Sequence, residues 1–597
     1  MPTTEPVLLF DFPDSTGRRR SLRFLDPVEL IVARALDEVR PALRAVQRAV
    51  DAGYYAAGYL GYEAAPAFDP ALRVQPATDL PLLWFGIFRE PCAAEPEPED
   101  ATFQLSSWQP SVSQAAYRRN IAAIREAIAQ GETYQTNYTL RLRAAFSGDD
   151  WAFYRRLRAA QRADYCAYLN LGRFRVLSAS PELFFHWRES QLVARPMKGT
   201  AKRGRWLAED QVQAAWLSAS EKNRAENLMI LDLLRNDLGR IAAVGSVHVP
   251  QLFAIERYPT LFQMTSTVAA ASRPGTTLDD IFAALFPCGS ITGAPKASTM
   301  NLIARLEDSP RGVYCGAIGF VTPQHEAIFN VAIRTVVIDT QTGAAEYGVG
   351  GGITWDSTPE DEYAEALTKA ALLSEPAPSF ALLETLRLHQ GAYTLLERHL
   401  DRLEESARYF DIPLALPAAR AALDEHRDQW PQHSRRVRLL VAQNGAITVE
   451  SAPLSQQTPE PLPVALATTP ISRHDRWLFH KTTRRAVYEQ RRREQTDVFD
   501  VLLWNEEGEL TEFTIGNLVL ELDGVCWTPP RESGLLAGTF RAELLARGII
   551  HERVLTRADL RLAERVWLIN SVREWVPVDL VHAQAEPAML LEAADVH

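Results

Sequence analysis

The hexapeptide SEPAPS, residues 374–379, interrupts the chain where no regular element can pass. A proline fixes its own φ, offers no backbone donor, and pushes the residue before it out of the helical region. A chain of 597 residues is too long for one hydrophobic core, so a boundary is required somewhere. SEPAPS predicts it: a first domain over 1–375 and a second over 380–597. Two other proline-rich stretches are secondary. PCAAEPEPEDA (91–101) reads as an exposed loop within the first domain. SAPLSQQTPEPLP (451–463) divides the second into lobes of about 380–455 and 460–597.

On both sides of SEPAPS, strand-like runs alternate with amphipathic helices. YCAYLNLGRFRVLSAS precedes a predicted helix over 221–238, and YCGAIGFV and FNVAIRTVVID follow it. After the boundary, FALLETLRLHQGAYTLLERHLDRLEESARYF reads as strand, turn, strand and helix. The pattern predicts α+β or α/β architecture in both halves. A net charge of -12 argues against a nucleic-acid partner, because phosphate binding needs a basic surface. No uninterrupted apolar run approaches the ~18 residues of a membrane span. The opening MPTTEPVLLFDFPD lacks the basic start of a secretory signal. Cys92, Cys166, Cys288, Cys315 and Cys526 are scattered, with no CxxC spacing. They fit a reducing cytoplasm without zinc or disulfides.

Within the first half, EKNRAENLMILDLLRNDLGR (221–240) places Leu228, Leu231, Leu234 and Leu238 at helical spacing, with Gly239 as the stop. Asn223 and Glu226 share one face of it. Glu362 and Glu365 share a face of a second predicted helix, PEDEYAEALTKA (359–370). Two helices presenting oxygen ligands toward one point suit Mg²⁺, and two solvated helix faces give the same spacing. GVGGGITWDS (348–357) is either a flexible loop or a place of close backbone approach. CGSITGAPKAS (288–298) sets Ser290 and Thr292 before a helix start at Pro295, a geometry that binds carboxylates and also caps ordinary helices. Lys198, in PMKGT, is a loop lysine or a reactive one.

SASPELFF, PMKGT, EKNRAENLMILDLLRNDLGR, CGSITGAPKAS, YCGAIGF, AIRT and GGGITWDSTPEDEYAEALTKA occur here in the order found in the chorismate-utilising enzymes. The resemblance covers roughly residues 50–375 and implies a two-sheet sandwich with the site between the sheets. Lysine at 198 is similar to the aminodeoxychorismate synthases, and alanine there would resemble anthranilate synthases. The resemblance implies that Lys198 is the nucleophile, Glu182 the general acid, and Glu226 and Glu365, with Glu362, the Mg²⁺ ligands. Gln135, Ser290, Tyr314, Arg334 and Gly352 match substrate-binding positions, Arg334 being suited to a bidentate carboxylate grip. Gln135 stands where isochorismate-forming members carry a water-activating lysine. Gln263 replaces a histidine of anthranilate synthases. Met197 replaces the usual isoleucine and Asn223 a usual acid. No glutaminase signature is present, so ammonia is expected from solution or from a separate glutamine amidotransferase subunit.

In the second half, Lys481 in RWLFHKTTRRAVYEQRRR could be one charge on a basic helix. LLWNEEGELTEFTIGNLVL (502–520) reads as a hairpin, SGLLAGTFRAELL (533–545) as a turn into a helix, and WLINSVREWVPV (567–578) as a strand and polar turn. Over about residues 380–580 these resemble the fold-type IV pyridoxal phosphate family of branched-chain and D-amino acid aminotransferases and aminodeoxychorismate lyases. The resemblance implies a two-lobed domain, with Lys481 as the Schiff-base lysine and Glu512 as the partner of the pyridine nitrogen. It implies Arg402, Thr539 and Ser571 as phosphate-holding residues, and a homodimer through this domain. The expected longer N-terminal strand pair is missing before FALLETLRL. Together the halves imply conversion of chorismate to 4-aminobenzoate, a folate precursor. The alternatives are an anthranilate synthase fused to an aminotransferase, and a synthase whose second domain only mediates assembly.

Overall fold

The computed structural model describes residues 6–14, 17–92, 101–373, 379–454 and 461–581. Most of SEPAPS (374–378) and of the first proline-rich stretch (93–100), and the middle of the last (455–460), lie outside the described residues. The chain forms two compact units, Met1–Lys202 with Ala214–Ala377, and Arg203–Gln213 with Pro378–His597. The mixed helix-and-strand architecture expected of both halves is what they contain.

In the first unit two ten-stranded sheets pack face to face. The strands Leu83–Phe88 and Ala327–Val331 are buried at every residue, because helices cover what the sheet-on-sheet contact leaves. Aromatic side chains from both sheets interlock between them. Phe10 of one lies 5.5 Å from Phe320 of the other, edge to face. Truncating either to alanine would cost about 3–5 kcal/mol.

The long strand Gln135–Gly148 pairs antiparallel with Ala344–Ile353, in register from Ala345 opposite Ala144 to Gly352 opposite Asn137. The glycine run 348–352 is therefore strand, not a flexible loop. It still serves close approach: a Cβ at Gly348 would stand 2.2 Å from Tyr314 Cδ1. The helix Glu221–Gly239 is where the apolar spacing placed it, with the Ser220 hydroxyl accepting from the Asn223 amide at its start. Leu231, Leu234 and Leu238 are buried with Ile230, and the helix packs on the strands Leu261–Ala271 and Met197–Lys202. Leu228 is 50% exposed, contrary to the period. It lies one residue outside the Asn227–Ile230–Leu231–Leu234 stripe that the sheet covers.

The second unit holds a four-stranded sheet built on Ala381–His389 and Arg435–Ala442, flanked by the helices Leu396–Phe410 and Leu416–Gln429. An eight-stranded sheet follows, in which Leu462–Leu466 runs parallel to both Asp500–Trp504 and Glu574–Leu580. No helix among the described residues is long and apolar enough to cross a membrane.

Candidate active sites

The first unit contains a cavity of about 560 Å³. Gln135, Glu182, Lys198, Glu226, Ser290, Tyr314, Arg334, Gly352, Glu362 and Glu365, scattered over more than two hundred residues of sequence, all line it. Lys198 sits on the strand Met197–Lys202. Its carbonyl accepts from Asn227 Nδ2 at 3.2 Å, which ties the strand to the helix carrying Glu226. The next residue, Gly199, has φ +96°, and a Cβ there would stand 3.1 Å from Asn223 Oδ1, so the break in strand register after Lys198 favours glycine. Gln263 Nε2 donates to the Gly199 carbonyl at 3.0 Å and fixes that irregularity from the other side.

Burial pushes the Lys198 ammonium below its usual range, and the nearby charge of Lys369 adds to this, while Glu226 and Glu182 oppose it. Glu182 is 3% exposed. Burial raises its carboxyl to about 7, against the opposing pull of Ser290 and Lys198. Its Oε1 has no hydrogen-bond partner, nor have both side-chain polar atoms of Gln135. Unpartnered polar atoms this deep are costly unless a ligand meets them. A buried acid that holds its proton near neutrality, beside an amine biased toward the free base, is equipped to protonate a leaving oxygen while the amine attacks.

The carboxylates expected to hold a cation are brought to one cavity but not to one point. Glu365 pairs with Lys369 at 2.8 Å, and Glu362 accepts from Ser357 Oγ at 2.7 Å. Among the described residues no three His, Cys, Asp or Glu side chains stand as a ready-made metal set. Burial raises Glu226 and Glu362, and the charge of Glu365 raises both further. Mutually repelling, partly dehydrated carboxylates fit Mg²⁺, which takes one or two such groups and completes its shell with water and substrate oxygens.

The second unit has its own cavity, of about 360 Å³, lined by Arg402, Lys481, Glu512, Thr539 and Ser571. Lys481 is not on a surface helix. It lies in extended chain between the turn Arg476–Phe479 and the helix Ala486–Arg493. Burial first, then Arg402, lowers its amine to about 8. Glu512 is raised by burial to about 7. Tyr488 Oη donates to Glu512 Oε1 at 2.7 Å and Asn517 Nδ2 approaches its other oxygen at 3.3 Å. Arg402 Nη2 and Nε grip Glu384 at 2.6 and 2.9 Å. His399 donates from Nδ1 to Glu384 at 2.6 Å, which leaves Nε2 to accept from the Thr539 hydroxyl at 3.2 Å. Burial pushes Glu384 up, but Arg402 and His399 outweigh it and hold it at about 2.

These residues fit pyridoxal phosphate on structural grounds. A buried amine and a buried carboxyl face one cavity, and Thr539 opens a helix there with free amides for an anion. Gly538 admits no side chain, since a Cβ would lie 2.0 Å from Asn517 Oδ1. The sequence reading missed Glu384, His399, Tyr488, Asn227 and Lys369. A lone acid in the apolar strand ALLETLRLH, and His399 and Arg402 three apart on one helix, were the available signals.

Residues 90–375 match the family model of the chorismate binding enzymes, and residues 381–581 that of class IV amino-transferases. Aminodeoxychorismate synthase component 1 of Escherichia coli (strain K12) is 40% identical over 271 residues, 45% of this chain and 59% of that protein. Anthranilate synthase component 1 of Aquifex aeolicus is 36% identical over 269 residues, 45% of this chain and 54% of that protein. The match thus spans little more than half the length of these relatives. The crystal structure of anthranilate synthase component I from Streptococcus pneumoniae TIGR4 superposes with a TM-score of 0.51 at 23% identity, covering 63% of this chain and 93% of that one. It shows the fold of the first unit.

Proposed function

From a chain that carries a chorismate binding enzyme domain and a class IV amino-transferase domain, we propose that the first aminates chorismate and the second cleaves the product. The products are 4-aminobenzoate and pyruvate. The observation that carries this is the placement in one cavity of the Lys198 amine and the buried Glu182 carboxyl, which burial raises to about 7. The relative named aminodeoxychorismate synthase component 1 supports the choice of amination at C4.

In the first step the free amine of Lys198 attacks the chorismate ring as Glu182 protonates the C4 hydroxyl, which leaves as water. Ammonia then adds at C4 and the lysine departs, giving 4-amino-4-deoxychorismate. Two displacements replace one difficult substitution. Gln135 and Ser290 orient the substrate, and Arg334 holds a carboxylate. Glu226, Glu362 and Glu365 would hold Mg²⁺, which neutralises substrate carboxylate charge when bound. "Component 1" in a relative's name implies another component, and a glutamine amidotransferase subunit is the proposed source of the ammonia.

In the second step Lys481 takes the C4 proton, and pyruvate leaves as the ring becomes aromatic. Pyridoxal phosphate, when bound, supplies the electron sink. Glu512, fixed by Tyr488, would pair with the pyridine nitrogen, and Arg402, Thr539 and Ser571 would hold the phosphate. The test is chromatography of products from chorismate, ammonia and Mg²⁺, with and without pyridoxal phosphate. The expected result is 4-aminobenzoate with the cofactor and 4-amino-4-deoxychorismate without it. Anthranilate as the main product would overturn the reading.

A further inference from the structure

The stretch Arg203–Gln213 follows the strand that carries Lys198 in sequence and belongs to the second unit. Its contacts there converge on the residue before Lys481. His480 is 4% exposed, and its Nε2 lies 3.1 Å from the Arg205 carbonyl. A carbonyl only accepts, so Nε2 carries the proton, and Nδ1 accepts from the Ser406 hydroxyl at 3.0 Å. The imidazole stacks on Tyr409, 4.3 Å between centroids. Tyr409 in turn donates from Oη to the Gly204 carbonyl at 2.7 Å, and Arg203 donates to the Tyr409 carbonyl at 2.7 Å. Trp206 packs 5.0 Å from Phe479 and beneath the Arg531 guanidinium.

The stretch is itself rigid. Asp210 takes two bonds from Arg203, at 2.7 and 2.9 Å, and one from the Gly204 amide at 2.9 Å. Gly204 admits no side chain, because a Cβ would stand 2.2 Å from the Asp210 amide nitrogen. On its other side, Lys481 is held by its carbonyl, which accepts from the Leu383 amide at 2.9 Å. The backbone at Lys481 is thus clamped between the strand Ala381–His389 and a piece of chain from the first half of the sequence.

We propose that Arg203–Gln213 is a positioning element of the second site, fixing His480 and through it the direction in which Lys481 presents its amine. The proposal rests on the pyridoxal phosphate reading of that site. It makes the second activity depend on residues that lie outside the class IV amino-transferase match, 381–581.

The test uses the full chain with Trp206→Ala, which removes the packing on Phe479, and Tyr409→Phe, which removes only the hydroxyl that holds Gly204. Pyridoxal phosphate is titrated into each apoprotein and followed by visible absorbance. The pH midpoint of its capture is read as well, since a merely structural role would not move it. Trp206→Ala should weaken cofactor binding about tenfold and Tyr409→Phe by a smaller factor. In both, the capture midpoint should rise from about 8 toward that of an unburied lysine. Chorismate consumption should be unchanged, as neither residue lines the first cavity. Tyr409→Phe retains the fold if Trp206→Ala does not. Parent affinity and midpoint in Tyr409→Phe would overturn the proposal alone. A parent protein that takes up no pyridoxal phosphate would overturn it together with the reading on which it rests.

Discussion

Gly352 lies directly against the amide of Gln135: a Cβ at this glycine would stand 1.9 Å from Gln135 Nε2. The same Cβ would come within 2.9 Å of Lys198 Nζ. The strand therefore carries glycine here so that two side chains can reach the cavity floor. Gly352→Ala should displace both. Misplacement of about 1 Å costs near 10²-fold, so chorismate turnover should fall by roughly that factor with the melting temperature little changed. Turnover within threefold of the parent would show that neither group needs its present position.

The charge of Glu365 bears on both Glu226 and Glu362 within the first cavity, so the cation proposed for them should be separable from the second activity. Glu226→Gln should abolish Mg²⁺-dependent chorismate consumption and leave conversion of supplied 4-amino-4-deoxychorismate intact. Isothermal titration with Mg²⁺ and chorismate reads the binding directly. Undiminished consumption at limiting Mg²⁺ would remove Glu226 from the ligand set.

Burial, with Arg402, lowers the Lys481 amine to about 8. Only the free base attacks the cofactor aldehyde. Capture of pyridoxal phosphate should therefore accelerate as pH rises, roughly tenfold per unit below 8, and level off above it. Acceleration continuing to the ordinary lysine value would mean that the amine is solvated.

The second cavity is lined by Arg402, Arg436, Arg438, Lys481, Arg485 and Arg573 against Glu512 alone among acids. Glu384 neutralises Arg402, and Glu450 pairs with Arg438 at 2.5 Å. Arg436 lies directly opposite Arg387 in the sheet, and Arg387 pairs with Glu574 at 3.3 Å. The anionic substrate proposed for this cavity would give Arg436 its counter-charge. Arg436→Ala should raise KM for 4-amino-4-deoxychorismate about tenfold with little effect on kcat, and the difference should shrink at high salt. An unchanged KM would make Arg436 a surface charge.

What was readable beforehand followed local physics. The helix Glu221–Gly239 has its apolar period in sequence and ends one residue beyond the predicted 238, with Gly239 inside it, and Leu228 departed from the period because the covering sheet is narrower than the period suggests. The glycines at 348–352 were ambiguous since a loop and a crowded strand use the same residue. Motif order brought Glu182, Lys198 and Glu365 to one site before any contact was known. Arg203–Gln213 could not be read that way: its role comes from Tyr409, Phe479 and His480, more than two hundred residues onward. Arg436 likewise acquires meaning only when two strands place it beside Lys481's cavity.

The central claim is that two consecutive reactions share this chain, divided between Lys198 and Lys481. Lys481→Ala, supplied with chorismate, ammonia, Mg²⁺ and pyridoxal phosphate, should consume chorismate at the parent rate and accumulate 4-amino-4-deoxychorismate. Chromatography of both compounds over time is the measurement, with a separate active lyase added at the end to convert the accumulated compound to 4-aminobenzoate. Formation of 4-aminobenzoate by Lys481→Ala at the parent rate would contradict the account.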